Sequence, residues 1–488
     1  NSSAETHTTI YAIAESPRNP NVIWVGTDDG NLQVTRDGGK KWTNVVGNIH
    51  GLPPSPWVSS VDAGHFDEGT AYATFDLHNF GDMRPYCYKT TDFGQTWTQI
   101  VAPDSPVRGY AHVVKEDLVN KTLLFVGTEF GLWVSMDSGK QWAQYKGGEL
   151  PSVAVRDLAI HPRDNDLVIA THGRGIWIVD DITPLRTLTP DMLGKEAIFL
   201  QSRPVVQSLQ AGGGWSSGDA EFSGANPPDD ALITYYQKKR HIFGDLKMEV
   251  FDSGGHSLGL IPSSKRRGLN RATWSMRLKP PRVPTAASVG GAFIGPRLLP
   301  GTYTVKLTKD KQVYTYDLRV VPDPRSTHTQ QDRKAQFDLA MKLYSLLGDM
   351  TYTVDRINGL RLALDARAAA LPAGDLLRKQ LEAASARVDD LRKKIVATKE
   401  GGMITGEERL RENLSDLYGN VVNYEGRPSQ TQVQRADAIA RELSDVVAEF
   451  DAWVAKELPG LNAAAAAKTL EPLKPLTRDE WESKSAGK

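Results

Sequence analysis

One cysteine, Cys87, occurs in 488 residues, so no disulfide can close within the chain. Its surroundings, PYCYKTT, alternate like a strand and predict an inert packed thiol. A reactive thiolate would need a basic or helix-start setting. Long apolar runs are also lacking. Nothing approaches the ~18 residues of a membrane-spanning helix, and the richest run is the alanine stretch Ala463 to Ala467. Charge of one sign is not in excess: 58 Lys and Arg face 59 Asp and Glu, for a net charge of -1. That balance removes the electrostatic case for nucleic acid or an anionic membrane as partner. Asn1 opens onto polar residues with no secretory leader pattern, so either a leader has been removed or the chain is a fragment. Ser-His-Asp order, phosphate loops and dinucleotide glycine motifs are missing from any strand-turn-helix context, and no cofactor is expected. His65, His78, His112, His161 and His172 lack the tight spacing of zinc ligands, so no metal site is expected either.

What is present is a repeat. TRDGGKKW (Thr35 to Trp42), TTDFGQTW (Thr90 to Trp97) and SMDSGKQW (Ser135 to Trp142) all read Ser/Thr-x-Asp-x-Gly-x-x-Trp. Their aspartates, Asp37, Asp92 and Asp137, lie 55 and 45 residues apart. Such spacing fits a four-stranded propeller blade of roughly 40–50 residues. VIWVGTDDGNLQVT, LLFVGTEFGLWVS and LVIATHGRGIWIV repeat as two strands around a polar turn. The second copy carries a longer loop, from about Asp76 to Pro85, which accounts for its wider spacing. The fourth copy ends in DDITPL, with Asp180 at the aspartate position but neither Gly nor Trp after it. In each motif a short polar residue accepts backbone amides, glycine relieves the turn and tryptophan packs it down. Asp37, Gly39 and Trp42, Asp92, Gly94 and Trp97, and Asp137, Gly139 and Trp142 are therefore expected to build the blades rather than catalyse.

On these motifs the chain resembles the Asp-box (BNR) blades of sialidases, xyloglucanases and sortilin-type receptors. With VGTEFGLWVS and HPRDNDLVIATHGRGIWIVDDITPL nearly whole, it resembles the C-terminal half of bacterial sortilin-like or glycosyl hydrolase-like BNR-repeat proteins. The resemblance implies a bacterial protein that is extracellular, periplasmic or cell-surface associated. Four blades are countable, whereas Asp-box propellers usually need six or more. Further N-terminal blades are accordingly expected, cleaved away or carried by a second polypeptide, because open blades expose strand edges and apolar faces.

The fold class expected is mainly β with an α-helical C-terminal region. Residues 1–190 are read as propeller blades in an incomplete ring. Residues 191–325, with alternating strands such as ALITYY, LKMEVF and GTYTVKLT, are read as an immunoglobulin-like β-sandwich. A Gly, Ser and Pro-rich loop from Gln210 to Asp230 interrupts them, with Trp215 and Phe222 as loop anchors or a sugar platform. Residues 326–488 are read as a helical bundle and extended tail. Thr329 and Asp332 approximate a capping box, further helices are placed at about Gly374 to Lys399, Gly406 to Val422 and Gln430 to Leu458, and an extended chain follows Pro459.

No catalytic pair is identifiable. A glycosidase needs two carboxylates about 5–10 Å apart, and Asp62, Asp67, Asp76 and Asp82 add to the carboxylates on loops without selecting a pair. The sialidase arginine triad and Tyr-Glu nucleophile pattern are missing. Candidate ligand-binding residues are instead the polar turns of successive blades: Asp28 and Asp29, Glu129, and His172 with Arg174, together with His65 and His78. These would line a polar mouth, where Arg174 is suited to a ligand carboxylate. The reading is a binding or scaffold protein with protein or glycan ligands. The alternatives are a glycoside hydrolase, xyloglucanase-like rather than sialidase, and a structural subunit of a larger complex.

Overall fold

A computed structural model describes residues 8–147, 149–209, 218, 229–287, 292–399 and 406–486. Trp215 and Phe222 lie outside the described residues.

Four antiparallel sheets follow one another along the first part of the chain. The first holds β1 (Ile10–Glu15), β2 (Ile23–Thr27), β3 (Leu32–Thr35) and β4 (Trp42–Asn44) in sequence order. The second holds β5 (Trp57–Ala63), β6 (Ala71–Leu77), β7 (Asp82–Thr90) and β8 (Thr98–Gln99). The third holds β9 (Ala111–Glu116), β10 (Leu124–Thr128), β11 (Gly131–Ser135) and β12 (Ala143–Gln144). The fourth stops at three strands, β13 (Val155–Ile160), β14 (Leu167–Thr171) and β15 (Ile176–Val179). The first strands, β1, β5, β9 and β13, stand side by side, so the sheets are successive blades of a propeller-like arc. Alternation dictates the packing. Ala12, Trp24, Leu32 and Val34 of the first blade bury against Val58, Val61, Ala73 and Phe75 of the second. Cys87 is fully buried beside Leu124, Val126 and Trp133, and burial pushes its thiol pKa upward, as an inert packed thiol requires.

The missing fourth strand of the last blade is where the chain leaves. Asp181 Oδ1 accepts from Thr183 N at 3.1 Å just ahead of α1 (Thr183–Thr187), which α2 (Pro190–Gly194) follows. Two sheets then face one another over one core. One is β16 (Ala197–Phe199), β18 (Ala231–Gln237) and β21 (Gly268–Trp274), ordered 16-18-21. The other is β17 (Val205–Gln207), β19 (Leu246–Phe251), β20 (Ser257–Ile261), β22 (Gly301–Lys309) and β23 (Gln312–Pro322), ordered 17-23-22-19-20. Phe199, Ile233, Tyr235 and Trp274 of the first meet Met248, Val250, Val305 and Leu318 of the second. β17 pairs in parallel with β23. Its short sequence, like that of β16, has too few residues for an alternation to be visible.

Helices α3 (Gln330–Ala369), α4 (Leu376–Ile395), α5 (Leu410–Val422) and α6 (Gln430–Ala466) close on a second core that includes Leu347, Leu360, Val388, Tyr418, Ile439 and Phe450. Thr329 and Asp332 form the expected capping box, with Thr329 Oγ1 accepting from Asp332 N at 3.1 Å and Asp332 Oδ2 accepting from Thr329 N at 3.1 Å. The expectation of extended chain after Pro459 is corrected. α6 runs through Pro459 to Ala466, because Leu458 and Ala465 bury on the core while the proline ring faces solvent. Beyond residues 470–477, α7 (Arg478–Ala486) docks Trp481, whose Nε1 donates to Asp355 Oδ2 at 2.8 Å.

Candidate functional site

Each eight-residue motif folds the same way. In the first, the amides of Lys40 and Lys41 donate to Asp37 Oδ1 (3.0 and 2.9 Å), and Gly39 N donates to Thr35 Oγ1 (3.0 Å). In the second, Thr96 N reaches Asp92 Oδ1 at 2.9 Å and Gly94 N reaches Thr90 Oγ1 at 3.0 Å. In the third, Gln141 N reaches Asp137 Oδ1 at 2.9 Å and Gly139 N reaches Ser135 Oγ at 2.8 Å. Hydrogen bonds hold two of these carboxyls below their ordinary pKa: chiefly the Lys41 amide for Asp37, and the Thr96 hydroxyl and amide for Asp92. The aspartates are spent on their own turns.

The site lies where the inner strands converge. In all four, the pairing with the next strand skips one residue: Tyr11 between Ile10 and Ala12, Ser59 between Val58 and Ser60, His112 between Ala111 and Val113, and Arg156 between Val155 and Asp157. Each skip is a β-bulge, which leaves one residue out of the ladder and re-aims its side chain. All four skipped residues line a single cleft of about 740 Å³ on the concave side of the arc, together with Trp57 and His172. A bulge repeated at one level of successive blades delivers one side chain per blade to a shared space.

Around the bulges a polar network is tightly built. Asp76 is fully buried; its Oδ1 lies 2.6 Å from His78 Nδ1 and accepts from His78 N at 2.9 Å, and its Oδ2 lies 3.4 Å from His112 Nδ1. Burial opposes ionisation of Asp76, but the hydrogen bonds from His112 and His78 outweigh it and hold the carboxyl below its ordinary pKa. Arg156 Nη1 is 3.3 Å from His112 Nδ1, and Nη2 donates to Tyr110 Oη at 3.1 Å. His112 Nδ1 serves one neighbour at a time: protonated it donates to Asp76, unprotonated it accepts from Arg156. Burial, then the hydrogen bond with Glu129, pushes the Tyr110 hydroxyl up to about 12. His78 stacks on Tyr110 with ring centres 4.6 Å apart, and Trp57 stands edge-on to Tyr11 at 4.6 Å and to His112 at 5.6 Å. Arg156 Nε, Trp57 Nε1 and Glu129 Oε2 are buried without a hydrogen-bond partner. The arrangement therefore offers cationic and neutral donors beside two aromatic faces, a combination suited to holding an oxygen-rich or acidic group.

Of the residues singled out by sequence, His78, Glu129 and His172 sit in β6–β7, β10–β11 and β14–β15 turns, at this same end of the blades. Arg174 shares the last turn but is exposed, and its carbonyl accepts from Trp177 Nε1 at 2.9 Å. Asp28 and Asp29 are spoken for within the first blade: Asp28 Oδ1 holds the segment entering β1, accepting from Thr8 N and Thr9 N (2.9 and 2.8 Å), and Asp29 Oδ1 serves its own turn, accepting from Thr27 Oγ1 and Asn31 Nδ2. His65 lies apart. It follows β5, and antiparallel strands put the β5–β6 connection at the opposite end from β6–β7. There His65 N donates to Glu116 Oε2 at 2.6 Å, Tyr72 Oη donates to Glu116 Oε1 at 2.8 Å, and Lys115 Nζ holds Asp62 at 2.6 Å. Burial raises the pKa of Asp62 against the pull of Lys115. Sequence reasoning missed Trp57, Tyr110 and Arg156; the only signal for them was their place in the aligned first strands. Among the described residues, no group of three His, Cys, Asp or Glu side chains is placed to hold a metal ion.

No family model matches the chain, and no curated protein matches it. Solved structures similar to it include a GH74 enzyme from Niastella koreensis, 18% identical over 36% of this chain and 24% of that one, with a TM-score of 0.27. Another is YCF48 bound to D1 peptide, 19% identical over 40% of this chain and 77% of that one, TM-score 0.24. A third is the GH74 xyloglucanase from Xanthomonas campestris, 10% identical over 64% of this chain and 37% of that one, TM-score 0.27. The chain thus spans about a quarter of the first of these and over a third of the xyloglucanase. No helix among the described residues is long and apolar enough to cross a membrane.

Proposed function

We propose that the chain is a binding and scaffold protein of the cell surface or extracellular space: Asp-box, sortilin-like propeller blades in residues 1–190, an immunoglobulin-like module in 191–325 and a helical bundle in 326–488. The observation that carries the binding role is the recurrent bulge, which turns Tyr11, Ser59, His112 and Arg156 into one cleft beside Trp57. The ligand class is a glycan or a peptide with an acidic or oxygen-rich group, held by Arg156 and stacked on Trp57. Binding is favoured over hydrolysis because the two buried aspartates Asp62 and Asp76 are already engaged, the first by Lys115 and the Glu116 amide, the second by two histidines. Screening a glycan panel and a peptide array, then repeating the titration with Arg156→Ala and Trp57→Ala, tests the reading. Each variant is expected to weaken the best ligand at least tenfold, about 1.4 kcal/mol. A ligand indifferent to both substitutions would refute the cleft as its site, and release of reducing ends from xyloglucan would favour the hydrolase.

The two ends of the arc support a further part of the proposal, that additional blades seat against it, in the same polypeptide or another. Ile13 of β1 and Ile176 and Ile178 of β15 are all more than half exposed, on faces where interior blades carry their neighbours. Light scattering on a mixture with a polypeptide carrying such blades should show a complex that Ile13→Glu and Ile178→Glu abolish.

A further inference from the structure

A second, half-open cavity, about 290 Å³, lies where the five-stranded sheet meets the helices, far from the blade motifs in sequence. Its lining includes Arg277, Arg297, His328, Arg333, Tyr424 and Glu425. Arg277 and Arg297 face each other as an isolated antiparallel bridge leading out of β21 and into β22. Arg333 comes from the first turns of α3, and Glu425 from the chain just after α5. The charges do not balance. Glu425, the carboxylate among the lining residues, pairs with Arg297 through Oε1 and with Arg333 through Oε2, the latter at 3.2 Å, while Asp229 outside the lining also favours the charge of Arg277. The Arg297 Nη1 also donates to Ser208 O at 3.0 Å, and Arg277 Nη1 to Gly295 O at 3.1 Å.

Arg333 is the informative residue. Its side chain is only 7% exposed, yet Nε and Nη2 are buried with no hydrogen-bond partner. A guanidinium keeps its proton even when buried, and an unsatisfied buried donor on a charged group is costly to retain. Burial, followed by repulsion from Arg297, disfavours the charged form of Arg277. An added negative charge in this space would offset the buried positive charge of both arginines.

We propose that this cavity is a binding site for a small oxyanion, a phosphate, sulfate or carboxylate group, received by the guanidinium groups of Arg277, Arg297 and Arg333 that line it. Glu425 acts there as a built-in competitor that holds the arginines in place when no ligand is bound. The site is independent of the cleft between the blades.

Isothermal titration of the full chain with inorganic phosphate, sulfate and acetate, at constant ionic strength in chloride, tests the proposal. Saturable binding of at least one of the three is expected, and the ranking among them separates a phosphate or sulfate ester from a carboxylate ligand. Arg333→Met is expected to weaken it at least tenfold. Glu425→Gln is expected to tighten it at least threefold, because the competing charge is gone, whereas a purely structural ion pair would yield no such gain. Arg277→Met, remote from the helix start, repeats the loss test should Arg333→Met fail to fold as judged by circular dichroism. No saturable binding of any of the three anions, unchanged affinity in the folded arginine variants, or weaker binding by Glu425→Gln would each overturn the assignment.

Discussion

The first and third blade motifs share their pattern and their hydrogen bonds, but their surroundings differ. Trp142 of the third is 6% exposed, and its Nε1 donates both to Gly139 O within the turn (3.1 Å) and to Ile100 O of the preceding blade (2.9 Å). Trp42 of the first is 38% exposed and donates to Gly39 O at 3.1 Å. A Cβ on Gly139 would sit 2.8 Å from Ile100 Cβ, whereas on Gly39 the nearest atom, 3.9 Å away, belongs to the turn's own Trp42. The second blade follows the third: Gly94 abuts Val45, and Asn48 Nδ2 donates to Gly94 O at 2.8 Å. One motif therefore has two duties. Its aspartate and hydroxyl fold the turn locally, while its glycine and tryptophan form the seam with the blade before. In the first blade the second duty is unfilled.

That contrast is open to attack, beginning with the largest effect. Trp142→Ala should lower the stability of the blades by about 3–5 kcal/mol, as for a buried aromatic truncated to alanine. Trp42→Ala should stay within about 1 kcal/mol, near the range of surface substitutions. Denaturation midpoints followed by tryptophan fluorescence and by circular dichroism would compare them, and equal losses would dissolve the distinction. Next come Gly39→Ala and Gly139→Ala. Both sites have left-handed backbone, φ 93° and 90°, so both carry a conformational cost of roughly 1–2 kcal/mol. Only Gly139→Ala adds overpacking of about 1–3 kcal/mol against Ile100. If additional blades do cover the first motif in a complex, Gly39→Ala should then weaken that complex while sparing the isolated chain.

The smallest effect concerns pH. Hydrogen bonds from Thr96 depress the pKa of Asp92 in the folded protein below the unfolded value of about 3.9. A depressed carboxyl contributes stability that is present above the unfolded pKa and lost as pH falls through the folded one. Asp92→Asn should therefore lower the melting temperature slightly at pH 6, and the gap should close below about pH 4. Solvent screening at this exposed turn keeps it under about 1 kcal/mol. A gap that did not narrow at all as pH fell below about 4 would show that the charge is irrelevant to the turn.

Legibility followed the range of the interactions. The motifs at Asp37, Asp92 and Asp137 were readable because every bond that folds them spans at most four residues. The cap at Thr329 was readable for the same reason, since Asp332 is three residues on. The bulges were not. Skipping one residue in a strand changes no local pattern, so nothing in VAVRDLAI announces that Arg156 turns into the cleft. The wrong grouping of His65 with His78 has a similar origin: both lie near the ends of β6, and only strand direction separates their ends. Pro459 misled in the opposite sense, since a local helix breaker was overridden by the burial of Leu458 and Ala465.

The sequence by itself determined the blade turns, the order of sheets and helices, and the main helix starts, because these rest on contacts between near neighbours and on periodicity. Tertiary structure alone decided which side chains share a space. It brought Tyr11, Ser59, His112 and Arg156 to one cleft from four strands, and Arg277, Arg297, Arg333 and Glu425 to one cavity from four separate segments. Such meetings depend on register, strand direction and the packing of one unit on the next. Those are settled by the burial of whole faces, a property of the folded chain that no short stretch of residues carries.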